Sequence, residues 1–121
     1  MPAHNTILRT GVTDQTTDAT VTTAATVATE SDVAYHVVAR IVAYETPSGN
    51  EAAGYERAAT FKNDGGTLTQ VGSTTALATH EDTGGWDATL DASGTTIRAR
   101  VTGAAATTIN WRVDLEVYSV T

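Results

Sequence analysis

The sequence of 121 residues contains no cysteine, two prolines, one phenylalanine and one methionine. The lack of cysteine excludes a disulfide scaffold and metal sites built on thiolates. Basic residues are also scarce, because seven lysines and arginines stand against fourteen acidic residues, giving a formal net charge of −7. Binding to nucleic acid requires clustered positive charge. We therefore expect no nucleic-acid partner.

Long apolar runs are absent as well. No stretch approaches the ~18–20 consecutive apolar residues that span a bilayer, and we expect no membrane partner. Residues 1–6 do not combine a basic region with an apolar block, so no signal peptide is predicted. A chain of this size buries about two-thirds of its unfolded surface, which is enough for one compact core. Because the sequence begins at Met1, we expect a complete small protein with one folded domain.

Strongly hydrophobic residues are few, since valine, isoleucine, leucine and phenylalanine together number 22. A share below ~20% accompanies disorder in many chains, but the 25 threonines and 12 valines here favour extended backbone. The apolar residues also recur at every second position. Near the C-terminus one such face consists of Ile109, Trp111, Val113, Leu115 and Val117. This alternation predicts a strand with one buried face.

The preceding segment repeats the alternation with Ile97, Ala99 and Val101, and residues 103–106 follow it. This order predicts that the last two strands form a hairpin. Its outer face would carry three arginines and two carboxylates, and cross-strand ion pairs are expected there. These residues are Arg98, Arg100, Arg112, Asp114 and Glu116.

Further strands are predicted upstream. Trp86, Ala88, Leu90 and Ala92 alternate before a turn at Ser93-Gly94, and Tyr55, Arg57, Ala59 and Phe61 alternate before Asn63-Asp64-Gly65-Gly66. An Asp-Gly pair between alternating segments is a strong hairpin signal. Residues 67–71 and 75–80 are predicted as two short strands after this turn. Residues 32–45 fit a long strand by their β-branched content, although Val33, Val37 and Ile41 also fit helical spacing.

Residues 1–30 differ from the rest because they are rich in threonine and alanine and contain few large apolar side chains. Such a segment cannot offset its backbone entropy by folding on itself. It is predicted to be an extended N-terminal arm, either disordered or ordered by addition to a neighbouring subunit, with one weak strand at 20–29. For residues 31–121 we predict an all-β fold, an antiparallel β-sandwich of jelly-roll type. The whole chain would hold about eight strands.

No catalytic, cofactor-binding or metal-binding residue is predicted. His4, His36 and His80 are too far apart in sequence to suggest a metal site. The carboxylates between 81 and 91 match no calcium-loop spacing, and they are interpreted as solvated turn and outer-face charges. The serines stand in no nucleophile elbow, and the Gly-Gly pairs lead into no phosphate-binding helix. Trp86 and Trp111 are in register with apolar neighbours, which favours a place in the core over a binding surface.

One ordered set of motifs resembles a known family. It runs from Phe61-Lys62-Asn63-Asp64-Gly65-Gly66-Thr67 and Val71-Gly72-Ser73-Thr74 through Trp86, Gly94 and Ile97 to Val101-Thr102-Gly103-Ala104-Ala105, Thr107-Thr108-Ile109 and Trp111. This set resembles segments of tailed-bacteriophage virion proteins, which include tail-fibre domains and small head-decoration proteins. The similarity covers about residues 33–120. It implies a β-sandwich that assembles on a virus particle, commonly as a homotrimer, without enzymatic activity.

Between the two locations, the sequence analysis favours the head. We expect a decoration or cement protein on the head surface that binds between subunits of the major capsid protein, with the arm laid across a neighbour. An acidic surface would keep such a protein soluble and away from packaged DNA. The alternative is a tail-fibre or adhesin module that binds glycan on the host cell surface. That alternative predicts an exposed aromatic in a shallow groove, with Trp86, Tyr44, Tyr55 and Tyr118 as candidates.

Overall fold

The computed structural model describes residues 7–121 and, from residue 11 onwards, also their side chains. His4 and the segment 1–6 lie outside the described residues. All eight elements are strands, and no helix occurs within residues 7–121. The strands are β1 (Ile7–Thr16), β2 (Thr22–Ala28), β3 (Val33–Glu45), β4 (Ala52–Asp64), β5 (Thr67–Glu81), β6 (Asp87–Ser93), β7 (Thr96–Thr102) and β8 (Ile109–Val120). The described part of the chain therefore also holds no helix that could cross a membrane.

Two antiparallel sheets form the sandwich. The larger sheet has the strand order β1-β8-β3-β4-β5, and the smaller one has the order β2-β7-β6. The first strand thus pairs with the last and the second with the seventh, an arrangement that fits a jelly roll. The predicted all-β antiparallel sandwich of about eight strands is confirmed.

The core lies between the two sheets and contains the side chains that the alternation placed inward. Full burial of a valine, leucine, isoleucine or phenylalanine side chain contributes about 1.5–3 kcal/mol to the stability of the fold, relative to leaving it exposed. The largest fully buried side chains are Trp111, Tyr55, Phe61, Leu90, Ile97, Ile109, Leu115, Val37, Val101, Val113 and Val117. Trp111 stacks on Tyr55 with ring centroids 6.4 Å apart, and Trp86 contacts it at 6.2 Å. Both tryptophans belong to the core, as predicted.

The turns follow the local sequence. Gly65 and Gly66 both adopt positive φ, which lets Asp64 pair directly with Thr67 in a two-residue hairpin. Ser93 pairs with Thr96 in a second hairpin. Residues 32–45 are compatible with both a strand and a helix by their spacing. They contain the strand β3, which pairs with β4 on one side and with β8 on the other.

The predicted hairpin of the last two strands is wrong. β7 pairs with β2 and β6, whereas β8 pairs with β1 and β3 in the other sheet. The connection after β7 therefore crosses between the sheets. Gly103 allows this crossing by close approach, because a Cβ there would lie 2.5 Å from Thr16 Oγ1 and 3.2 Å from Ile109 Cδ1. Alternation identifies the buried face of a strand, but it does not identify the strand's neighbour.

Since the two strands belong to different sheets, the five charged residues do not share one outer face. Arg98 and Arg100 lie on the smaller sheet, where both approach Asp91 of β6. Arg112 and Asp114 lie on the larger sheet and contact each other along β8, with Nε and Oδ1 3.3 Å apart.

The segment after the Asp-Gly turn also differs from expectation. Residues 67–71 and 75–80 belong to one strand, β5, whose pairing with β4 shifts between Glu56 and Arg57 and again between Ala58 and Thr60. Gly72 lies within the second irregularity and has φ 78°. The glycine that suggested a break therefore bends the strand without ending it.

The described part of the predicted arm contributes to the sandwich. Residues 7–16 form β1 against β8, and residues 22–28 form β2 against β7. Ala25 and Val27 are buried in the core. This segment cannot offset its backbone entropy by itself, but β8 and β7 of the same chain supply backbone partners and apolar surface for it.

Candidate functional site

A row of five residues crosses the outer face of the larger sheet from one edge to the other. Thr13 of β1 pairs with Arg112, Arg112 pairs with Val42, Val42 with Gly54, and Gly54 with His80 of β5. Paired residues in an antiparallel sheet point to the same side. With adjacent strands about 4.8 Å apart, the row is about 19 Å long.

This row forms the floor of a shallow depression, which we call the cross-strand groove. One part of about 630 Å³ lies at the β1 end and is lined by Gln15, Tyr44 and Asn110. The other part of about 400 Å³ extends to His80 on β5. Both parts are lined by Val42 and Arg112, so they adjoin at these two side chains, and together they are the cross-strand groove.

The part of the groove towards β5 is open because of Gly54. This residue lies within β4 between the buried Ala53 and Tyr55, and its missing side chain would point outward. A Cβ at this position would lie 3.9 Å from the carbonyl oxygen of Ile41, an ordinary contact. Glycine is therefore not needed there for close backbone packing. Its effect is to leave the floor of the groove free of a side chain at the β4 position.

The β1 end of the groove combines apolar and amide surface. Tyr44 is 48% exposed and Val42 is 55% exposed. Beside them, Gln15 Nε2 donates a hydrogen bond of 2.8 Å to Asn110 Oδ1. An exposed tyrosine offers an apolar ring face together with a hydroxyl, and the amides add donors and acceptors. The surface can stack on a ring and bind hydroxyl groups at the same time.

The charged side chains of the groove are arranged in pairs. Arg40 Nε lies 3.7 Å from Glu56 Oε1, and Arg112 Nε donates to Asp114 Oδ1 at 3.3 Å. Asp114 Oδ1 also accepts a 2.8 Å hydrogen bond from the backbone N–H of Gly11. This bond, followed by the contact with Arg112, lowers the pKa of the Asp114 carboxyl.

A second cluster of polar groups lies at the edge of the core beneath β5. Arg57 is buried and donates to the carbonyl oxygens of Ala88 at 2.7 Å and Ala78 at 2.8 Å. It therefore ties β5 of one sheet to β6 of the other. Tyr55 donates to Glu81 at 2.6 Å, and burial, followed by this bond, raises the pKa of the tyrosine. These contacts account for the cluster as a structural connection between the sheets.

The carboxylates that the sequence placed in turns have separate partners. Glu81 accepts from Tyr55, and Asp82 accepts from the backbone N–H of Ala52 at 2.9 Å. Asp87 lies 3.6 Å from Arg57 Nη2, and Asp91 binds Arg98. Within residues 7–121, histidine, aspartate and glutamate form no group of three that could hold a metal ion. His36 contacts Thr60 Oγ1 at 2.8 Å, while His80 lines the groove.

The four candidate aromatics divide into two pairs. Trp86 and Tyr55 are buried, whereas Tyr44 and Tyr118 are exposed on the larger sheet. Tyr118 donates to Glu116 and lines a separate depression of about 250 Å³. This bond is the main reason why the pKa of Tyr118 is raised. Of the two exposed tyrosines, only Tyr44 lines the cross-strand groove, and the buried Tyr55 borders its β5 part.

Sequence reasoning did not assign Val42, Gly54 or Arg112 to a site. Two local signals were present. Val42 is a large apolar residue on the outer side of β3, and Gly54 is an isolated glycine beside the alternating run that begins at Tyr55. Neither signal identifies a groove, because the groove requires the pairing register of all five strands.

Comparison with known proteins shows likeness in fold. No family model and no curated relative matches the chain. Among solved structures, the tailspike protein of Acinetobacter baumannii phage AM24 matches with a TM-score of 0.60 and 10% identity, over 93% of this chain and 26% of that one. The tailspike of Acinetobacter baumannii phage Fri1, described as a capsular polysaccharide depolymerase, matches with a TM-score of 0.42 and 13% identity, over 93% of this chain and 18% of that one. The chain thus spans about a quarter or less of these proteins.

These matches correct one prediction. The sequence analysis predicted a protein without enzymatic activity, but the similar structures include a described depolymerase. The prediction rested on the family resemblance and on the lack of recognisable catalytic residues in the sequence. Because the chain spans only 26% of the AM24 tailspike, the lack of recognised catalytic residues here is no basis for excluding enzymatic activity.

Proposed function

We propose that this chain is a bacteriophage virion protein of the tail and that it binds glycan of the host cell surface in the cross-strand groove. The observation that carries the proposal is the exposed Tyr44, which lies beside Val42 and lines the β1 end of a groove whose two parts together span the five strands. The likeness in fold to the AM24 tailspike supports a tail protein. The proposed location is therefore the tail of the virion.

The shape of the groove suits a chain molecule. It is about 19 Å long by strand spacing, and it is shallow and open along the sheet. Sugar rings have an apolar face and a rim of hydroxyl groups. Tyr44 and Val42 offer apolar surface for the ring faces, while Gln15, Asn110 and Arg112 offer hydrogen-bonding groups for the hydroxyls.

The location on the head surface that was expected from the sequence is not part of the proposal. The similar structures are tailspikes, and they give no support for the major capsid protein as a partner. The homotrimer implied by the family resemblance remains part of the proposal. An edge strand with exposed apolar residues, β5 with Val71 and Leu77, offers a surface for contact between copies. Mass measurement of the purified protein distinguishes a trimer from a monomer.

The proposal is tested with an array of bacterial surface oligosaccharides, followed by titration of a bound glycan. The Tyr44→Ala variant removes the exposed ring, and we expect at least a tenfold loss of affinity, about 1.4 kcal/mol. Tyr118→Ala is the matched control, because it removes an exposed tyrosine from the same sheet outside the groove. It should leave affinity within about twofold. A protein that binds no glycan, or equal losses in both variants, would contradict the proposal.

A further inference from the structure

The pairing of charges in the groove indicates which glycans it accepts. Two arginines line the groove, and each is matched by a carboxylate: Arg40 by Glu56 at 3.7 Å, and Arg112 by Asp114 at 3.3 Å. All four side chains are at least one-third exposed, so they remain accessible to a ligand. Asp14 adds a further acidic residue to the lining at the β1 end.

A carboxylate on a ligand would meet an unfavourable environment here. Arginine binds a carboxylate most strongly as a bidentate pair, and here the Nε of each guanidinium already faces a carboxylate of the protein. In this groove, a ligand carboxylate near Arg112 would also approach Asp114, and the whole protein carries a net charge of −7. Repulsion between these negative charges offsets the attraction of the arginine.

Hydroxyl groups match the same pairs well. A hydroxyl both donates and accepts hydrogen bonds, whereas an arginine only donates and a carboxylate only accepts. A sugar hydroxyl beside Arg112 and Asp114 can therefore accept from one and donate to the other. The hydrogen-bonded amides of Gln15 and Asn110 also offer a donor and an acceptor close together.

We infer that the cross-strand groove selects uncharged polysaccharides and disfavours those that contain uronic acids or other carboxylated sugars. The inference rests on the proposed glycan-binding function and names the chemical class of the ligand. It treats the pairs Arg40–Glu56 and Arg112–Asp114 as the residues that determine specificity.

The test uses bacterial capsular polysaccharides in pairs, each acidic polymer beside its carboxyl-reduced form. Reduction converts the carboxylate into a hydroxymethyl group and leaves the sugar sequence unchanged. Binding is measured at low and at high salt. We expect the reduced forms and neutral polymers to bind about tenfold more tightly than the acidic parents at low salt, with the difference shrinking as salt screens the repulsion.

The variant Asp114→Asn sharpens the test. It removes one negative charge beside Arg112, while the amide oxygen can still accept from the N–H of Gly11. We expect the preference for the reduced form to narrow about threefold. Asp91→Asn makes the same change in net charge on the outer face of the smaller sheet and should leave the preference unchanged.

The outcomes separate the two claims. Equal or tighter binding of the acidic parents, abolished by Tyr44→Ala, would overturn the inference and leave the glycan site in place. An equal response to Asp114→Asn and Asp91→Asn would also overturn it, since net charge alone would then explain the preference. Binding of no polymer at all would overturn both the inference and the proposed function.

Discussion

The two outer faces of the sandwich differ although both belong to one acidic chain. The face of the smaller sheet consists largely of threonine and of charged residues held in close pairs, such as Arg98 and Asp91 with two contacts of 2.8 Å. The face of the larger sheet exposes Val42, Tyr44 and Tyr118 and contains the cross-strand groove. Both faces therefore carry paired charges, and on the larger sheet these pairs lie beside exposed apolar side chains along a groove. This difference assigns glycan binding to the larger sheet in our proposal.

The largest expected effect comes from the core that the two faces share. Trp111→Ala removes a fully buried ring that packs on Tyr55 and Trp86, and it leaves the buried hydroxyl of Thr16 without the indole donor at 2.9 Å. We expect a loss of about 3–5 kcal/mol in the free energy of unfolding, measured by denaturant titration. Both sheets should unfold together in one denaturation transition. A variant of wild-type stability would show that the two sheets do not share this core.

Gly54→Ala tests the larger sheet alone. The added methyl group fits sterically, since its nearest contact would be the carbonyl oxygen of Ile41 at 3.9 Å, but it occupies the floor of the groove. Affinity for the glycan should fall about tenfold, while the free energy of unfolding stays equal or rises by about 0.4–1 kcal/mol. Isothermal titration and thermal unfolding measure the two quantities. Unchanged affinity in a folded variant would argue against the groove as the binding site.

Arg98→Ala tests the smaller sheet, and the expected result is the reverse of that for Gly54→Ala: stability falls slightly and glycan affinity does not change. It removes a two-contact pair with Asp91 on a partly exposed surface, where such pairs contribute little. The midpoint of thermal unfolding should fall by about 1–4 °C, and glycan affinity should not change. A loss of affinity comparable to that of Gly54→Ala would place ligand contacts on the smaller sheet and remove the distinction between the faces.

The smallest effect concerns pH. The pKa of Asp114 is lowered in the folded protein, mainly by the N–H of Gly11 and then by Arg112. Its ionised form therefore stabilises the fold above the unfolded pKa of about 3.9, and this contribution is lost as the pH falls through the folded pKa. The stability difference between wild type and Asp114→Asn should thus be present at pH 6 and vanish in acid. A difference that persists after protonation of the carboxyl would contradict this assignment.

The alternation of side chains predicted the inner faces of the strands because burial of one face follows directly from a period of two. It placed Trp111 in the core correctly, and the Asp-Gly signal placed the turn at Gly65 and Gly66 correctly. It could not predict that β8 pairs with β1 and β3 and not with β7, since many partners offer the same apolar face. The groove could not be predicted from the sequence for the same reason. Only the pairing register of β3, β4 and β5 places Gly54 between Val42 and His80.

Mapping of a bound oligosaccharide by backbone amide chemical shifts tests the central claim most directly. The account predicts that the largest changes occur at Val42, Gly54 and Arg112, along the row that crosses the larger sheet. The amides of Thr89 and Arg98 on the smaller sheet should change little. The largest changes on the smaller sheet, or no changes with any surface glycan, would contradict the account.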